Sequence, residues 1–589
     1  MNADRHRLTH LPRVGWGKYV LAGMILAVFG VFLLWPIGRV LRVGFFGMPG
    51  EGGGFTLRYV SEIFLDSTLR AGLVNSLMIA VMVTGVCIVI SVPLAMMSVR
   101  YEFWGQGVIG GLLLVPLILP PFVGAIGMRQ ILGRFGVLTS VAAEMGIVGE
   151  GVPVAWFGGM RILGVVLVEA LSLYPIVYLN VAAALANVDP AMEQAAANLG
   201  ASRWRVFWKI TLPLMRPGLF AGGTLVLIWS FTELGTPLMF DFYRVTPVQV
   251  FFRLTQVSGS PVPYALVVVM MLGSVALYAA GKLALGRGHD AAVTKASVAS
   301  SARRLSVWGN VGVVLVFGVV IGLALLPHVG VILTSVSGVG SWYQSMLPKV
   351  FTMQHYAAAL THDVTVPSVA NSVTFASLSM VLDVVLGLII AWVVVRSKLP
   401  GRGLIDGLAM LPLAVPGLVL AFGYLAISFQ LQGWFKDVKW LRELVDVQEN
   451  PTLLLVLAYA MRRLPYVVRS AVAGLEQTPV DLELAAKNMG ASTLTTMRRI
   501  TVPLIGANLV AGALLAFAFA MLEVSDSLIL AQRATYWPIT KAIYDLFQRL
   551  GDGPYIACAL GVWAMALLTL TILSANAVLG KRMGAIFRV

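Results

Sequence analysis

The sequence predicts an all-α integral membrane protein in which about twelve transmembrane helices form two tandem six-helix repeats. Three observations predict this fold: 58% of the 589 residues are hydrophobic, only 12% are charged, and one polar segment occurs twice in near copy. A soluble domain carries roughly 25% charged residues. So few charges leave too much apolar surface for water, and we expect lipid to surround most of the chain.

Twelve apolar stretches are each long enough to cross a bilayer as a helix, which takes about 20 residues. They lie at about 18–46, 71–98, 107–128, 160–183, 217–240, 262–285, 308–335, 367–395, 404–430, 452–474, 507–531 and 555–580. Gly and Pro interrupt many of them, as membrane helices tolerate. The chain is therefore expected to cross the membrane many times.

Lys and Arg are concentrated at the N-terminus, in every second loop and at the C-terminus. Arg203, Arg205 and Lys209 follow the fourth predicted span, and Arg498 and Arg499 follow the tenth. Positively charged loops stay on the cytoplasmic side, so both termini are predicted to be cytoplasmic. The same bias accounts for the formal net charge of +15 without a nucleic-acid partner.

The repeat extends over both halves of the chain. Equivalent residues are Pro36 and Pro327, Asn75-Ser76 and Asn371-Ser372, Pro116 and Pro412, Pro120 and Pro416, Pro175 and Pro465, and Glu233 and Glu523. We therefore predict a first repeat at 1–285, a cytoplasmic linker at 286–304 and a second repeat at 305–589. Six spans separate equivalent points, so the halves share one orientation and a pseudo-twofold axis along the membrane normal.

The duplicated polar segment lies at 189–213 and again at 478–503. Asp189 and Thr478 are predicted to cap a short helix in each copy, and Gly200 and Gly490 are predicted to end it. Small alanines at the second and third positions after the acid would let a partner surface approach closely. One copy alone is typical of an ordinary interfacial helix, but two copies at equivalent places favour a shared binding role.

The pattern Ala-Ala-x-x-x-Gly, followed after nine residues by Ile-x-Leu/Val-Pro, resembles the EAA loop of permease subunits of binding-protein-dependent ABC importers. The resemblance implies the type I importer fold, a bacterial inner (plasma) membrane location, a periplasmic solute-binding protein, and two copies of a cytoplasmic ABC ATPase that receive the loops as coupling helices. The matching residues are Glu193, Ala195, Ala196, Leu199, Gly200, Glu483, Ala485, Ala486, Met489 and Gly490.

One departure concerns the glutamate that usually precedes the two alanines. That position holds Gln194 in the first copy and Leu484 in the second, and the acid stands one residue earlier, at Glu193 and Glu483. Any salt bridge that family members make from the usual position is therefore in doubt in this chain.

Motifs for enzymatic chemistry are missing from the sequence. No G-x-x-x-x-G-K-[ST] phosphate-binding loop occurs, so ATP and Mg²⁺ are expected on a separate ATPase chain, and this chain is expected to carry no cofactor of its own. Cys87 and Cys558 form no metal-ligand cluster, and no metal site is assigned. The chain is predicted to be a transport subunit and not an enzyme.

Ionisable residues inside predicted spans are candidates for the substrate pathway, because their burial in lipid is costly. Glu233 and Glu523 occupy equivalent positions, Asp526 lies one turn beyond Glu523, and Arg462 and Arg463 interrupt the tenth span. The acids would line a cation pathway, or they would sit near a water-filled cavity or bond to neighbouring helices. The arginines would recognise an anion or pair with an acid of a neighbouring helix. Charge alone leaves the substrate open.

Two further features fall inside predicted spans. Asp383 in the eighth span has no acidic equivalent in the second. A group of prolines is predicted to bend the third and ninth spans and to free backbone carbonyls. These prolines are Pro116, Pro120, Pro121, Pro412 and Pro416.

The fused layout and the segments R-R-L-P-Y-V-V-R and F-T-E-L-G-T-P resemble the ferric-iron branch of these permeases. Ferric iron is the predicted solute, with thiamine, polyamine and 2-aminoethylphosphonate as alternatives within the same importer class. A secondary transporter driven by an ion gradient also suits twelve spans in two repeats, but it leaves the paired loops unexplained. A membrane-embedded enzyme or scaffold has no motif to support it.

Overall fold

The structure is a computed structural model, and it describes most of the chain. The described residues are 16–48, 54–117, 120–156, 161–186, 188, 190–257, 259–285, 303–397 and 399–579. The predicted linker up to residue 302 lies outside them, as does Asp189, whose predicted capping role therefore has no structural description.

The first half consists of helices of very different length. They are α1 (Trp16–Phe29), α2 (Trp35–Phe46), α3 (Arg58–Leu65), α4 (Ser67–Arg100), α5 (Gln106–Leu112), α6 (Pro121–Leu132), α7 (Val137–Glu144), α8 (Arg161–Ala186), α9 (Pro190–Asn198), α10 (Arg203–Val206), α11 (Leu212–Phe231), α12 (Gly235–Met239), α13 (Thr246–Phe252) and α14 (Val262–Leu285).

The second half repeats this order. Its helices are α15 (Val307–Ser335), α16 (Gln354–Thr361), α17 (Thr365–Arg396), α18 (Arg402–Ala414), α19 (Gly417–Trp434), α20 (Lys439–Val445), α21 (Thr452–Gln477), α22 (Val480–Asn488), α23 (Thr493–Thr496), α24 (Val502–Leu504), α25 (Gly506–Met521), α26 (Ser525–Leu530), α27 (Ile539–Gln548) and α28 (Gly553–Leu579). Two short strands, β1 (Tyr101–Glu102) and β2 (Arg303–Arg304), pair in parallel.

Most of the helical residues belong to helices that are candidates for spanning the membrane. Among the described residues, nine helices are each long and apolar enough to cross a membrane, and two bent helix pairs raise the number to eleven. The tenth predicted span coincides with α21, which is 26 residues long, or about 39 Å at 1.5 Å per residue. It is not among these eleven candidates, because Arg462, Arg463 and Arg469 interrupt its apolar sequence. The predicted all-α membrane fold is confirmed.

The internal repeat is visible in the hydrogen bonds that hold two equivalent loops, one after the fifth span and one after the eleventh. Asn75 Nδ2 donates to the carbonyl of Arg244 at 2.8 Å, and Asn371 Nδ2 donates to that of Thr535 at 2.9 Å. The neighbouring serine hydroxyls, at 76 and 372, accept from backbone amides in the same two loops. The Asn-Ser pairs that mark the repeat in the sequence thus form equivalent hydrogen bonds in each half.

The first span of each half packs against the opposite half. Where α15 packs against α6, a Cβ placed on Gly127 of α6 would lie 2.5 Å from the carbonyl oxygen of Pro327 in α15. At α2 and α19, a Cβ placed on Gly423 would lie 2.9 Å from Pro36. The two crossings are pseudo-equivalent, because both glycines and both prolines occupy matching places in the repeat. Each uses a glycine because small residues let membrane helices approach closely.

Several predicted spans end earlier than expected. Residues 217–240 and 507–531 were each expected to form one span, but α11 ends at Phe231 and α25 at Met521. The apolar sequence continues through α12 and α26, which are short and fully buried. Hydrophobicity does not distinguish a buried short helix from the end of a spanning one, so the sequence placed these boundaries wrongly.

The third and ninth spans break at their prolines. Pro121 begins α6, and the segments before and after this break differ in direction by 94°. In the ninth span α18 ends at Ala414 and α19 begins at Gly417, directly after Pro416. Both spans are therefore interrupted at their prolines, and the predicted bend is confirmed in the third span.

Candidate functional site

The two duplicated loops fold alike. In each, a nine-residue helix, α9 or α22, is followed by a glycine with left-handed backbone, Gly200 at φ 82° and Gly490 at φ 86°. The amide after the glycine bonds back to the carbonyl of Ala196 or Ala486, at 3.0 Å in both copies. This is a Schellman-type helix end, so the helix ends predicted from the two glycines are confirmed.

The predicted cap at Thr478 is wrong. Its hydroxyl donates to the carbonyl of Gly474 in α21 at 2.9 Å, and α22 begins after Pro479 without a side-chain cap. The side chain satisfies a carbonyl at the end of the preceding helix, where the last turn leaves acceptors without partners.

Each loop helix exposes the residues predicted to contact an ATPase. Leu199 is 89% exposed and Met489 is 88% exposed, which is unusual for large apolar side chains. Ala195 and Ala485 are also exposed, as are the two glycines that end the helices. Ala196 and Ala486 are half-buried. In each half, the exposed residues form one small apolar surface, which we call the knob. It consists of Ala195, Leu199 and Gly200 in the first half and of Ala485, Met489 and Gly490 in the second.

The glutamates of the loops face inward and are held by arginines from spans two and eight. Glu193 forms an ion pair with Arg100 and accepts from the hydroxyl of Thr211 at 2.6 Å. Glu483 pairs with Arg396 at 3.1 Å between Nε and Oε1. The displaced glutamates therefore make pseudo-equivalent salt bridges within the chain.

Arg396 also closes the end of α21. Its Nη2 donates to the carbonyls of Leu475 at 3.0 Å and Thr478 at 2.9 Å. Neither anchoring arginine was assigned a role from the sequence, because its partner lies 93 residues away in the first half and 87 in the second. The signal was present, however, since Arg100 and Arg396 are equivalent residues of the repeat.

A central cavity of about 160 Å³ lies where the broken spans of both halves meet. Four of the predicted pathway residues line it: Glu233, Glu523, Arg462 and Arg463. All five predicted prolines line it as well. The structure thus brings together, between the two halves, the intramembrane charges and the helix breaks that the sequence singled out separately.

Both arginines are paired with one acid. Glu523 Oε1 lies 2.5 Å from Arg462 Nη1, and Glu523 Oε2 bonds to Arg463 Nη2. The Glu523 side chain is only 2% exposed and that of Arg463 only 9%. The arginines therefore pair with an acid in the link between α25 and α26, which corresponds to the acid-pairing role considered from the sequence.

The remaining predicted acids are placed differently. Glu233 follows α11, where its Oε1 accepts from the amide of Thr236 at 3.3 Å. Asp526 lies in α26 behind the cavity lining, with Oδ2 at 3.8 Å from Arg462 Nη1. Asp383 is fully buried in α17, and its carboxylate has no hydrogen-bond partner among the described residues.

Glu169 is a cavity residue that the sequence reasoning missed. It lies in α8, is fully buried, and accepts from the hydroxyl of Ser230. An acid inside a spanning helix is a functional candidate by default, so the segment V-V-L-V-E-A-L already carried the signal. The second half has Tyr459 at the equivalent position.

Gly417 makes room for the Arg462 side chain. A Cβ at this position would lie 1.8 Å from Nη1 of the guanidinium. Gly417→Ala is therefore expected to push the guanidinium away from Glu523 and to destabilise the protein by about 1.5–3 kcal/mol, typical of a hydrogen bond to a charged group. Thermal unfolding of the purified chain measures this effect. The control is Gly433→Ala in the same helix, where a Cβ meets no atom within 4 Å; equal melting temperatures for both variants would contradict the packing account.

Comparison with known proteins agrees with the duplicated architecture. Residues 87–287 and 383–583 each match the family described as binding-protein-dependent transport system inner membrane component. The two matched stretches together cover more than half of the chain.

Individual relatives differ in how much of the chain they match. A ferric transport system permease protein of Actinobacillus pleuropneumoniae is 26% identical over 574 residues, 95% of this chain and 78% of the relative. A molybdenum transport system permease protein of Haemophilus influenzae is 36% identical over 157 residues, 26% of this chain and 64% of the relative. Membership of a binding-protein-dependent system removes the ion-gradient alternative. The chain belongs to the family of binding-protein-dependent transport system inner membrane components, in which it carries the family domain twice.

Proposed function

We propose that this chain forms the whole transmembrane pathway of an ATP-driven importer whose cargo is ferric iron. A relative that matches 95% of this chain is described as a ferric transport system permease protein. A periplasmic solute-binding protein would deliver the cargo to the outer face. Alternation between inward- and outward-facing states would then release it to the cytoplasm.

One observation carries the choice of a cation: the cavity arginines already have acidic partners. Arg462 and Arg463 both bind Glu523, so they are not free to hold an anionic cargo. Glu169 and Glu233 also line the cavity. The lining therefore has three carboxyl groups against two guanidinium groups, and carboxylates in this excess would attract a cation when ionised.

The exposed knobs on α9 and α22 support two docking sites for a cytoplasmic ATPase. Apolar side chains as exposed as Leu199 and Met489 are typical of partner-binding surfaces when they cluster. ATP and Mg²⁺ would bind on that partner, since this chain has no phosphate-binding loop. Two equivalent knobs call for two ATPase copies.

Contacts between distant segments support a common cytoplasmic side. Arg100 at the end of span two reaches the loop after span four. The pairing of β1 with β2 joins that same end of span two to the start of the second half. All three segments are predicted to be cytoplasmic by their positive charge, and both termini follow on the same side by the number of spans.

A pair of charge insertions tests the coupling assignment. Leu199→Asp together with Met489→Asp is expected to abolish copurification of the ATPase and ATP-driven uptake, because a carboxylate would have to be desolvated in an apolar contact. The chain itself is expected to fold, since both positions are exposed. Leu550→Asp is the control, because Leu550 is 96% exposed but lies between α27 and α28. Full ATPase binding by the double variant would refute the assignment.

Uptake measurements test the cargo. Cells with and without the chain are compared for labelled ferric iron, thiamine, spermidine and 2-aminoethylphosphonate in parallel. Loss of iron uptake alone supports the proposal, whereas loss of one of the other solutes refutes iron and retains the importer.

A further inference from the structure

The negative charge of the cavity is unevenly divided between the two halves. In the second half, Glu523 faces Arg462 and Arg463. The first half has Ser172 and Leu173 at the equivalent positions of the two arginines. Within the described part of the chain, neither Glu169 nor Glu233 takes part in an ion pair such as those of Glu523. The cavity acids without an ion pair in the described structure therefore both belong to the first half.

Glu169 has an unused acceptor in this region. Its Oε2 accepts from Ser230, but Oε1 is buried and has no hydrogen-bond partner among the described residues. The residue lines the cavity together with Glu233. A buried carboxylate oxygen without a partner is costly, and a bound cation would remove that cost.

The donor atoms around the cavity are hard. Its polar lining residues other than arginine and tryptophan are glutamate, serine, threonine and tyrosine, and the described lining contains no His, Cys or Met. Oxygen donors of this kind suit hard cations, whereas zinc and copper prefer nitrogen or sulfur. The cavity chemistry thus fits a small, highly charged cation.

We propose that Glu169 and Glu233 form a transit site for a hard multivalent cation on the first-half wall of the cavity. The inference rests on the proposed function, since it describes where the cargo of that importer would pause. No group of three or more His, Cys, Asp or Glu able to hold a metal was found among the described residues. Two carboxylates leave most of the coordination shell to water or to ligands carried with the metal.

This incomplete shell suits transport. A site on a pathway must bind favourably enough to accept the ion and weakly enough to release it. The second half would provide no matching site, because Tyr459 replaces Glu169 and Glu523 is occupied by the arginines. The cation would therefore cross along one wall of the pathway and not along its pseudo-twofold axis.

Binding of Tb³⁺ to the purified full chain tests the site directly. Tb³⁺ is a hard trivalent probe whose luminescence is sensitised by nearby tryptophan, and Trp229 lines the cavity. Glu169→Gln and Glu233→Gln are each expected to weaken Tb³⁺ binding on the order of ten-fold, because affinity follows the number of charged ligands. Glu62→Gln, at an exposed carboxylate on α3, is the control and is expected to bind as wild type.

Uptake of iron by the same variants separates this proposal from the cargo assignment. Wild-type uptake that is lost in both cavity variants, with the ATPase still bound, supports the site. If both variants keep wild-type uptake and Tb³⁺ affinity, the site is wrong while the cargo assignment stands. If the wild-type chain transports no iron but binds Tb³⁺ through Glu169, the cargo is wrong and the cation site remains.

Discussion

Glu523→Gln is expected to destabilise the protein by about 3–5 kcal/mol, because it removes the only carboxylate that bonds to both cavity arginines in the described structure. Arg463 would lose its ion-pair partner while its side chain is 9% exposed, and Arg462 would keep only the more distant Asp526. A neutral amide accepts a hydrogen bond but does not balance two positive charges. Thermal unfolding and the yield of folded protein after detergent extraction measure the loss.

The first half supplies the matched control. Glu233→Gln changes the equivalent residue, which forms no ion pair at contact distance in the described structure, so it is expected to leave the melting temperature close to that of wild type. Adding Arg463→Leu to Glu523→Gln is expected to restore part of the stability, since Leu173 is the natural residue at the equivalent position. Wild-type stability of Glu523→Gln alone would show that the arginines find other partners and that the ion-pair account is wrong.

Arg396→Ala is expected to uncouple the second loop from the membrane helices. It leaves Glu483 without its cationic partner in a site where the two side chains are 9% and 7% exposed. It also frees two carbonyls at the end of α21. Removing one partner of such a buried pair costs about 3–5 kcal/mol. Reconstituted transporters are expected to hydrolyse ATP without taking up cargo, because α22 would no longer move together with spans eight and ten.

Arg100→Ala tests the equivalent ion pair of the first loop, which is more exposed to solvent. Its pair is more open, at 31% and 20% exposure, and Glu193 keeps the Thr211 hydroxyl. The expected cost is roughly 1 kcal/mol, as for a pair near the surface, with uptake reduced but not lost. Arg402→Ala is the control, because this exposed arginine bonds only to carbonyls at the end of span eight in the described structure. Equal losses in Arg100→Ala and Arg396→Ala would contradict the ranking.

The sequence predicted those features that are repeated or locally encoded. Gly200 and Gly490 end their helices because only a residue without Cβ adopts that backbone readily, and local sequence is enough to see it. The proline breaks and the Asn-Ser pairs were visible for the same reason. Each feature occurs in both halves, and a local pattern that recurs at equivalent positions predicts structure more reliably than one that occurs once.

The sequence did not predict contacts between residues far apart in the chain. The pairing of Arg396 with Glu483, and of both cavity arginines with Glu523, depends on how whole helices pack. The room that Gly417 leaves for Arg462 depends on the same packing. Glu169 is a different case, because its position inside an apolar helix was sufficient to mark it and it was overlooked.

The glycine–proline crossings have a consequence for biosynthesis. The first half is synthesised before α15, so the surface of α6 around Gly127 lacks its packing partner until the second half has been inserted. Domains synthesised first usually fold first, but here neither half completes its core alone. Joining both halves in one chain fixes their ratio at one to one. It thereby ensures that every assembled pathway receives one wall with arginines and one wall without.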